Sequence, residues 1–455
     1  MGRRESGRRR EKAFAQGLMA AETIYALSSA PGRAGIAVVR ISGPQAMRTA
    51  AALTGKPLPP PRRAAVRRFV DAQGSPIDDG LLLLFPGPQS FTGEDVVELH
   101  VHGGAAILEA LFRVLAGLGL RAARAGEFTR RAVESGRLEL TRAEAIADLI
   151  DAETEAQRLQ ALGQYGGNIA ETCESWRDRL LRASAAAEAA IDFSDEELPA
   201  DLLTGARRET EQILQEIQRY LDDSHRGERI REGLSLAVIG PPNAGKSSLV
   251  NALAKRDVAI VSPHPGTTRD VIEVRLDLGG YAVTVADTAG LRDVSDAVEA
   301  EGVCRAIERA RSADLVVLLR DGSSNREDGF ESENFRADLL VWNKFDLPWP
   351  GERDGICISS KSGQGLEQLI AKLTQLISDR LGETTQSPVL TRRRHRDALE
   401  EAACSLRLAL LAPSDRPELL AEGLRLALRE IGRITGRVDL EAMLDIVFRD
   451  FCIGK

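Results

Sequence analysis

The segment that most constrains this fold is Gly240-Pro-Pro-Asn-Ala-Gly-Lys246-Ser247, which directly follows the apolar run Leu234 to Ile239. A strand feeding a GxxxxGK[ST] turn and then a helix wraps backbone N–H groups around phosphate oxygens. The lysine then reaches the β/γ-phosphates and the hydroxyl can ligate Mg²⁺. A chance glycine-rich turn is the alternative, and three further segments in consistent order argue against it. Asp287-Thr288-Ala289-Gly290 closes the apolar run Ala282 to Ala286, offering a carboxylate to a Mg²⁺ water and a glycine N–H to the γ-phosphate. Asn343-Lys344-Phe345-Asp346 follows Leu339 to Trp342; an aspartate there accepts from the N1–H and N2–H₂ edge of guanine, a donor pair that adenine lacks. Ser359-Ser360-Lys361 follows Ile356 to Ile358, where a backbone N–H can reach guanine O6.

The nucleotide set is therefore Asn243, Ala244, Gly245, Lys246, Ser247, Ser248, Thr267, Thr268, Asp287, Thr288, Ala289, Gly290, Asn343, Lys344, Asp346, Ser359, Ser360 and Lys361. Ser247 and Thr268 are the expected Mg²⁺ ligands; Thr268 lies in Gly266-Thr-Thr-Arg-Asp270, where a hydroxyl that joins the metal only when a γ-phosphate is present makes a switch. Familiar switch GTPases place a water-orienting glutamine after the Asp-x-x-Gly turn, but here that position is Leu291. Hydrolysis must then draw on another residue, another chain or an added cation. Asp293, Asp296, Glu299 and Glu301 are the downstream carboxylates.

The runs Leu234–Ile239, Ala282–Ala286, Leu315–Leu319, Leu339–Trp342 and Ile356–Ile358 alternate with amphipathic stretches, which predicts a mainly parallel sheet covered on both faces. Upstream, Ile36–Ile41, Leu81–Phe85 and Val96–Val101 read as strands in a mixed segment. From Leu140 to Phe193 the chain turns to Ala, Leu, Glu and Arg, favouring long helices with a break at Gly166-Gly167, and helical sequence returns beyond Thr391. The α/β unit reads as inserted between two helical halves. The expected division is a basic tail over 1–22, an N-terminal domain over 23–138, a helical domain over 139–232 and 382–455, and the α/β domain over 233–381, which suits 455 residues.

Several classes are excluded by composition. No apolar run is long enough to span a bilayer, so no membrane partner is expected. A net charge of −8 speaks against a general nucleic-acid binder and leaves local contacts only. Five scattered cysteines without a CxxC pair point to a reducing, cytoplasmic setting. The Arg-rich first twelve residues lack the hydrophobic core of a secretory signal and read as a solvated tail, with a mitochondrial transit peptide as the alternative.

The combined residues resemble one family, the MnmE (TrmE) tRNA-modification GTPases, from Thr23 to Lys455. Besides the GTPase motifs, the resemblance rests on PGRAGIAVVRISG from Pro31, FTGEDVVEL from Phe91, His102-Gly-Gly104, GEFTR from Gly126, AEAIADLI from Ala143, and the terminal FCIGK. It implies an α/β plus α architecture: a Ras-like P-loop GTPase domain inserted in a discontinuous helical domain, behind an α+β, GcvT-like domain that binds tetrahydrofolate and dimerises. It further implies that GTP hydrolysis, with the FAD-dependent partner MnmG (GidA) in a heterotetrameric or larger complex, serves to place a carboxymethylaminomethyl or aminomethyl group on C5 of the wobble uridine of certain tRNAs. Formyl- or methylene-tetrahydrofolate is the implied one-carbon carrier.

By the same resemblance, Arg40, Glu98, Arg137 and Lys455 contact folate, with Arg137 standing where a relative has lysine. Asn243, Ser262, His264 and Thr267 would hold K⁺ in a homodimer of facing GTPase domains, Ser262 thereby joining the nucleotide site. Glu299 matches a glutamate that acts indirectly on the attacking water. Cys452 is either a nucleophile or a packed cysteine near the folate. Arg392-Arg393-Arg394-His395-Arg396 is either a tRNA phosphate contact or a solvated helix end. Two other readings stand beside this one: a ribosome-assembly GTPase, which would carry an RNA-binding domain such as KH, and a GTP-controlled scaffold.

Overall fold

The computed structural model describes residues 22–193, 202–223, 225–256, 258–260, 273–286, 308, 310–324, 336–349, 354–381, 390–413, 415–438, 443–444, 447–448, 451 and 454. The chain forms two units, Met1–Glu144 with Thr435–Lys455, and Ala145–Ile434.

The first unit contains β1 (Ile24–Leu27), β2 (Ala34–Ser42), α1 (Ala46–Thr54), β3 (Ala65–Val70), β4 (Pro76–Phe85), β5 (Val96–Gly103), α2 (Ala105–Gly117), β6 (Arg121–Ala122) and α3 (Glu127–Glu134); α4 (Leu140–Asp151) crosses the division. Its sheet has the order β3-β4-β5-β2-β1-β6 and is antiparallel except between β1 and β6. The three upstream apolar runs fall in β2, β4 and β5. β3 carries two arginines and β6 has only two residues, so neither gives an apolar signal. Successive side chains alternate across a strand. Val39, Ile41, Leu82, Leu84, Val97 and Leu99 accordingly share a core with residues of α1 and α2, which leaves Arg40 and Glu98 to the opposite face. The tail of the chain belongs to this unit. The Phe448 and Phe451 rings lie 4.6 Å apart, and a Cβ on Gly126 would stand 2.6 Å from Phe448. Gly454, at φ 98°, fits where a Cβ would meet the Leu27 carbonyl at 1.9 Å, and the Ser28 hydroxyl donates to its carbonyl at 2.9 Å.

The second unit contains α5 (Glu155–Tyr165), α6 (Asn168–Asp192), α7 (Leu202–Leu221), α8 (Arg226–Glu232), β7 (Leu234–Ile239), α9 (Lys246–Ala254), β8 (Glu273–Leu278), β9 (Tyr281–Ala286), β10 (Leu315–Asp321), β11 (Leu339–Asn343), β12 (Ile356–Cys357), α10 (Leu366–Leu381), α11 (Arg393–Leu411) and α12 (Pro417–Thr435). The helical break falls at Gly166-Gly167, with Gly167 at φ 103°. The sheet order is β12-β11-β10-β7-β9-β8; every pair is parallel except β8 with β9. All five runs expected as strands are strands. β8 is additional, because its sequence EVRLDL alternates charge with apolar residues and lies beside a Pro- and Ser-rich stretch. One core joins the sheet to α9 and α10. A second joins α6 and α7 to α11 and α12, around Trp176, Leu180, Ile213, Leu399, Leu406 and Leu424.

The Arg392–Arg396 run is spent mostly inside this second core's surroundings, which corrects the tRNA-contact reading for four of its members. Arg392 pairs with Asp148 at 2.6 Å, and Arg394 donates to the carbonyls of Arg433 and Ile434 at the end of α12. His395 is fully buried. Arg396 is 7% exposed and meets Asp223 at 2.6 Å, Glu228 at 3.2 Å and the Leu221 carbonyl at 2.9 Å. Only Arg393, 90% exposed, faces solvent. Helical periodicity turns these neighbours to different sides. Removing a buried cation strands its carboxylates, so Arg396→Ala should lower stability in urea unfolding by about 3 kcal/mol, whereas Arg393→Ala should change it by less than about 0.5 kcal/mol.

Candidate functional site

The C-terminal ends of parallel strands share one edge of a sheet, and that edge collects the site. β7 runs into the phosphate loop, where Gly240, Asn243 and Gly245 all take positive φ (155°, 62° and 94°), the kind of backbone from which anion-binding turns are built. Glycine is required at two of these points: a Cβ on Gly240 would lie 2.0 Å from the Leu319 carbonyl, and one on Gly245 would lie 2.3 Å from Asn343 Nδ2. α9 starts at Lys246, within the motif itself. Lys246 Nζ donates to the carbonyls of Gly240 and Pro241, both at 2.9 Å, which holds the ammonium over the loop. Asn243 and Ser248 are exposed, Ala244 is buried, and Ser247 lies in the first turn of α9, where its hydroxyl can serve a metal beside the phosphates.

β11 and β12 supply the two loops expected to read the base. Asn343 is buried; its Nδ2 donates to the Ala244 carbonyl at 2.8 Å, and its Oδ1 accepts from the Ser360 N–H and hydroxyl, both at 3.0 Å. Asp346 is exposed and accepts from the Ser359 hydroxyl at 2.6 Å. Lys344 pairs with Asp321 at 2.6 Å, and Lys361 is exposed. Thus Asn243, Ala244, Gly245, Lys246, Ser247, Ser248, Asn343, Lys344, Asp346, Ser359, Ser360 and Lys361 occupy loops along one sheet edge. Arg256, just beyond α9, also donates to the Gly363 carbonyl at 3.1 Å, a second tie from the phosphate helix to the base loop. Ser262, His264, Thr267, Thr268, Asp287, Thr288, Ala289, Gly290 and Glu299 lie outside the described residues.

In the first unit, Arg40 and Glu98 are register partners on β2 and β5. Arg40 Nε and Nη2 both donate to Glu98 Oε1, at 3.1 and 2.9 Å. The guanidinium stands over the rings of Phe91 (5.4 Å) and Phe128 (5.7 Å), and Glu98 Oε2 meets His100 Nε2 at 3.5 Å. Arg137 is exposed, with its Cγ 3.3 Å from the point where a Gly93 Cβ would sit, so its stem borders the loop that carries Phe91. The Glu98 oxygen left free by the guanidinium can accept from a ligand N–H edge and the exposed Phe91 ring can pack on a planar heteroaromatic group, whereas Phe128 is fully buried. Cys452 and Lys455 lie outside the described residues. Phe91, Phe128, His100, Arg256 and Asp321, which border these candidate groups, carry no site motif in the sequence. Strand alternation could have signalled His100, two residues from Glu98, and position at a parallel strand's end could have signalled Asp321.

The hydrogen bond from Ser359 holds the Asp346 carboxyl below the usual carboxylate range. A depressed pKa keeps the anion as pH falls, so guanine affinity should be flat between about pH 8 and pH 5 and decline only further down. Titration with fluorescent GDP across that range checks this; a decline that begins near about pH 6 in the native protein but not in Asp346→Asn would contradict it.

Residues 23–137 match the family model for the GTP-binding protein TrmE N-terminus, and residues 140–452 match that for the MnmE helical domain. The tRNA modification GTPase MnmE of Parvibaculum lavamentivorans is 54% identical over 440 residues, covering 95% of this chain and 100% of that one. The protein of the same name from Paramagnetospirillum magneticum is 52% identical over 442 residues, with 95% and 100% covered. Among solved structures, the G domain of the T. maritima FeoB iron transporter aligns over 32% of this chain and 98% of its own at 26% identity, with a TM-score of 0.25. Matched along nearly its whole length by both models and by relatives more than half identical, the chain belongs to the MnmE (TrmE) family of tRNA modification GTPases.

Proposed function

We propose that this protein hydrolyses GTP in the service of tRNA modification, acting in the cytoplasm to form, with an MnmG-type FAD-dependent partner, the 5-carboxymethylaminomethyl or aminomethyl group on the wobble uridine. The observation that carries the GTP half is the Asn343 side chain, which joins the phosphate loop to Ser360 beside Asp346. Family membership carries the tRNA half, since the relatives at 54% and 52% identity bear the name tRNA modification GTPase. The ribosome-assembly and scaffold readings account for the GTP motifs, but not for the match of residues 23–137 to the TrmE N-terminus.

In this reading the phosphate-loop N–H groups and Lys246 bind the β- and γ-phosphates, and Asp346 orients guanine through its carboxylate. Ser247 and Thr268 would hold Mg²⁺, and Asn243, Ser262, His264 and Thr267 would hold K⁺; the two cations supply positive charge to the transition state. Glu299 orients water indirectly, in place of the glutamine that Leu291 lacks. The site needs the facing GTPase domain of a homodimer. Arg40, Glu98, Arg137 and Lys455 would hold formyl- or methylene-tetrahydrofolate, the carboxylate accepting from the pterin edge. The α/β domain over 233–381 is inserted between helical parts 139–232 and 382–455, a division supported by the shared core of α6 and α7 with α11 and α12, except that residues 435–455 pack within the first unit.

Nucleoside analysis of tRNA from cells lacking the gene should show unmodified wobble uridine, restored by the native protein; unchanged wobble uridine would overturn the modification reading. GTP turnover should be at least about tenfold faster in KCl than in NaCl, and this salt difference should vanish in Asn243→Ala. Glu299→Ala should lower kcat by about 100-fold with nucleotide affinity retained. Equal rates in both salts would sink the K⁺ role.

A further inference from the structure

We propose that Asp321 is a positioning residue of the guanine site, holding Lys344 in the turn that presents Asn343 and Asp346. The inference rests on the reading of Asp346 as the guanine acceptor. Lys344 has φ 67°, a left-handed conformation that residues with a Cβ adopt only when their surroundings impose it. The imposing contacts are in place. Lys344 Nζ is 2.6 Å from Asp321 Oδ2, while the Lys344 carbonyl accepts from Leu347 N–H at 2.9 Å and from Trp349 Nε1 at 3.0 Å. The Gly322 N–H donates to the Asn343 carbonyl at 2.9 Å, and the indole of Trp349 lies where a Gly322 Cβ would stand, 2.2 Å from its nearest ring atom.

Asp321 itself is aimed. Its Oδ1 accepts from the Ser323 N–H at 3.0 Å and hydroxyl at 2.6 Å, which leaves Oδ2 for the ammonium. Burial pushes its carboxyl up, but the hydrogen bonds from Lys344 and Ser323 outweigh that and hold it below the usual range. β10 and β11 place Asp321 opposite Asn343 in register, so the strand end that fixes Lys344 also abuts the residue that fixes the phosphate loop. Reversal of the chain at Lys344 is what lets Asn343 point back to Ala244 while Asp346 reaches Ser359. A relaxed turn cannot keep both.

The test uses the full-length protein and fluorescent GDP. Asp321→Ala removes a charge-assisted hydrogen bond and should raise the Kd for GDP about tenfold, with Asp321→Asn between it and the native protein. Glycine adopts positive φ freely, so in a Lys344→Gly background the Asp321→Ala change should add less than about twofold. The coupling shows that Asp321 acts through Lys344, and a purely structural role would lower the thermal midpoint without raising the Kd. An unchanged Kd with a lowered thermal midpoint, or a full tenfold effect persisting in Lys344→Gly, would overturn the positioning role. Asp346→Asn separates the two levels: if it weakens GDP binding and Asp321→Ala does not, only the positioning role fails; if Asp346→Asn also leaves GDP binding intact, the guanine-site reading fails with it.

Discussion

One buried amide holds the nucleotide site together. Asn343 is 2% exposed and uses both ends of its side chain, donating to Ala244 in the phosphate loop and accepting twice from Ser360 in the last base loop. An apolar residue of similar size would leave the Ala244 carbonyl and the Ser360 groups unsatisfied in a dry environment, which costs more than the bonds themselves contribute. The neighbourhood is shaped to admit this amide: Gly245 has no Cβ because Nδ2 passes 2.3 Å from where one would lie. Three segments distant in sequence converge there because β7, β11 and β12 run the same way and deliver their C-terminal ends to a common edge.

The first unit solves a different problem with similar economy. Period-2 alternation on β2 and β5 sends Val39 and Leu99 into the core and Arg40 and Glu98 to the other face, where they are register partners. The ion pair is only moderately exposed, and two rings flank its guanidinium, so the charge is shielded rather than solvated. The end of the chain is fixed to the same sheet through Gly454, which passes so close to the Leu27 carbonyl that no side chain is tolerated. A glycine in the terminal FCIGK thus has a physical reason that does not depend on the chemistry of its neighbours.

Much of this was legible in the sequence, and the limits have identifiable causes. Apolar runs such as Leu234–Ile239, broken only by Ser235, and Leu315–Leu319 announced buried parallel strands, and the helical break at Gly166-Gly167 followed from composition. β3 and β8 did not announce themselves, because each mixes charges into its alternation, and β6 is too short to carry a period. Among the candidate site residues, those singled out in the sequence were the ones with a motif: Asn343, Asp346 and Lys246. Asp321 was not, since an aspartate ending a strand looks like any turn residue until its partner 23 positions away is known. The Arg392–Arg396 run misleads for the converse reason: a cluster in sequence is dispersed by the helix, with His395 and Arg396 buried and Arg392 and Arg394 half-buried against partners in their own unit.

On the proposed function, the loops organised by Asn343 read guanine and not adenine. Isothermal titration of the full-length protein with GTP and with ATP, each with Mg²⁺, tests it directly. GTP should show saturable one-site binding and ATP at least about 1,000-fold weaker binding, because a site built to accept the guanine N–H edge leaves Asp346 unpaired against adenine. Comparable affinity for the two nucleotides would contradict it.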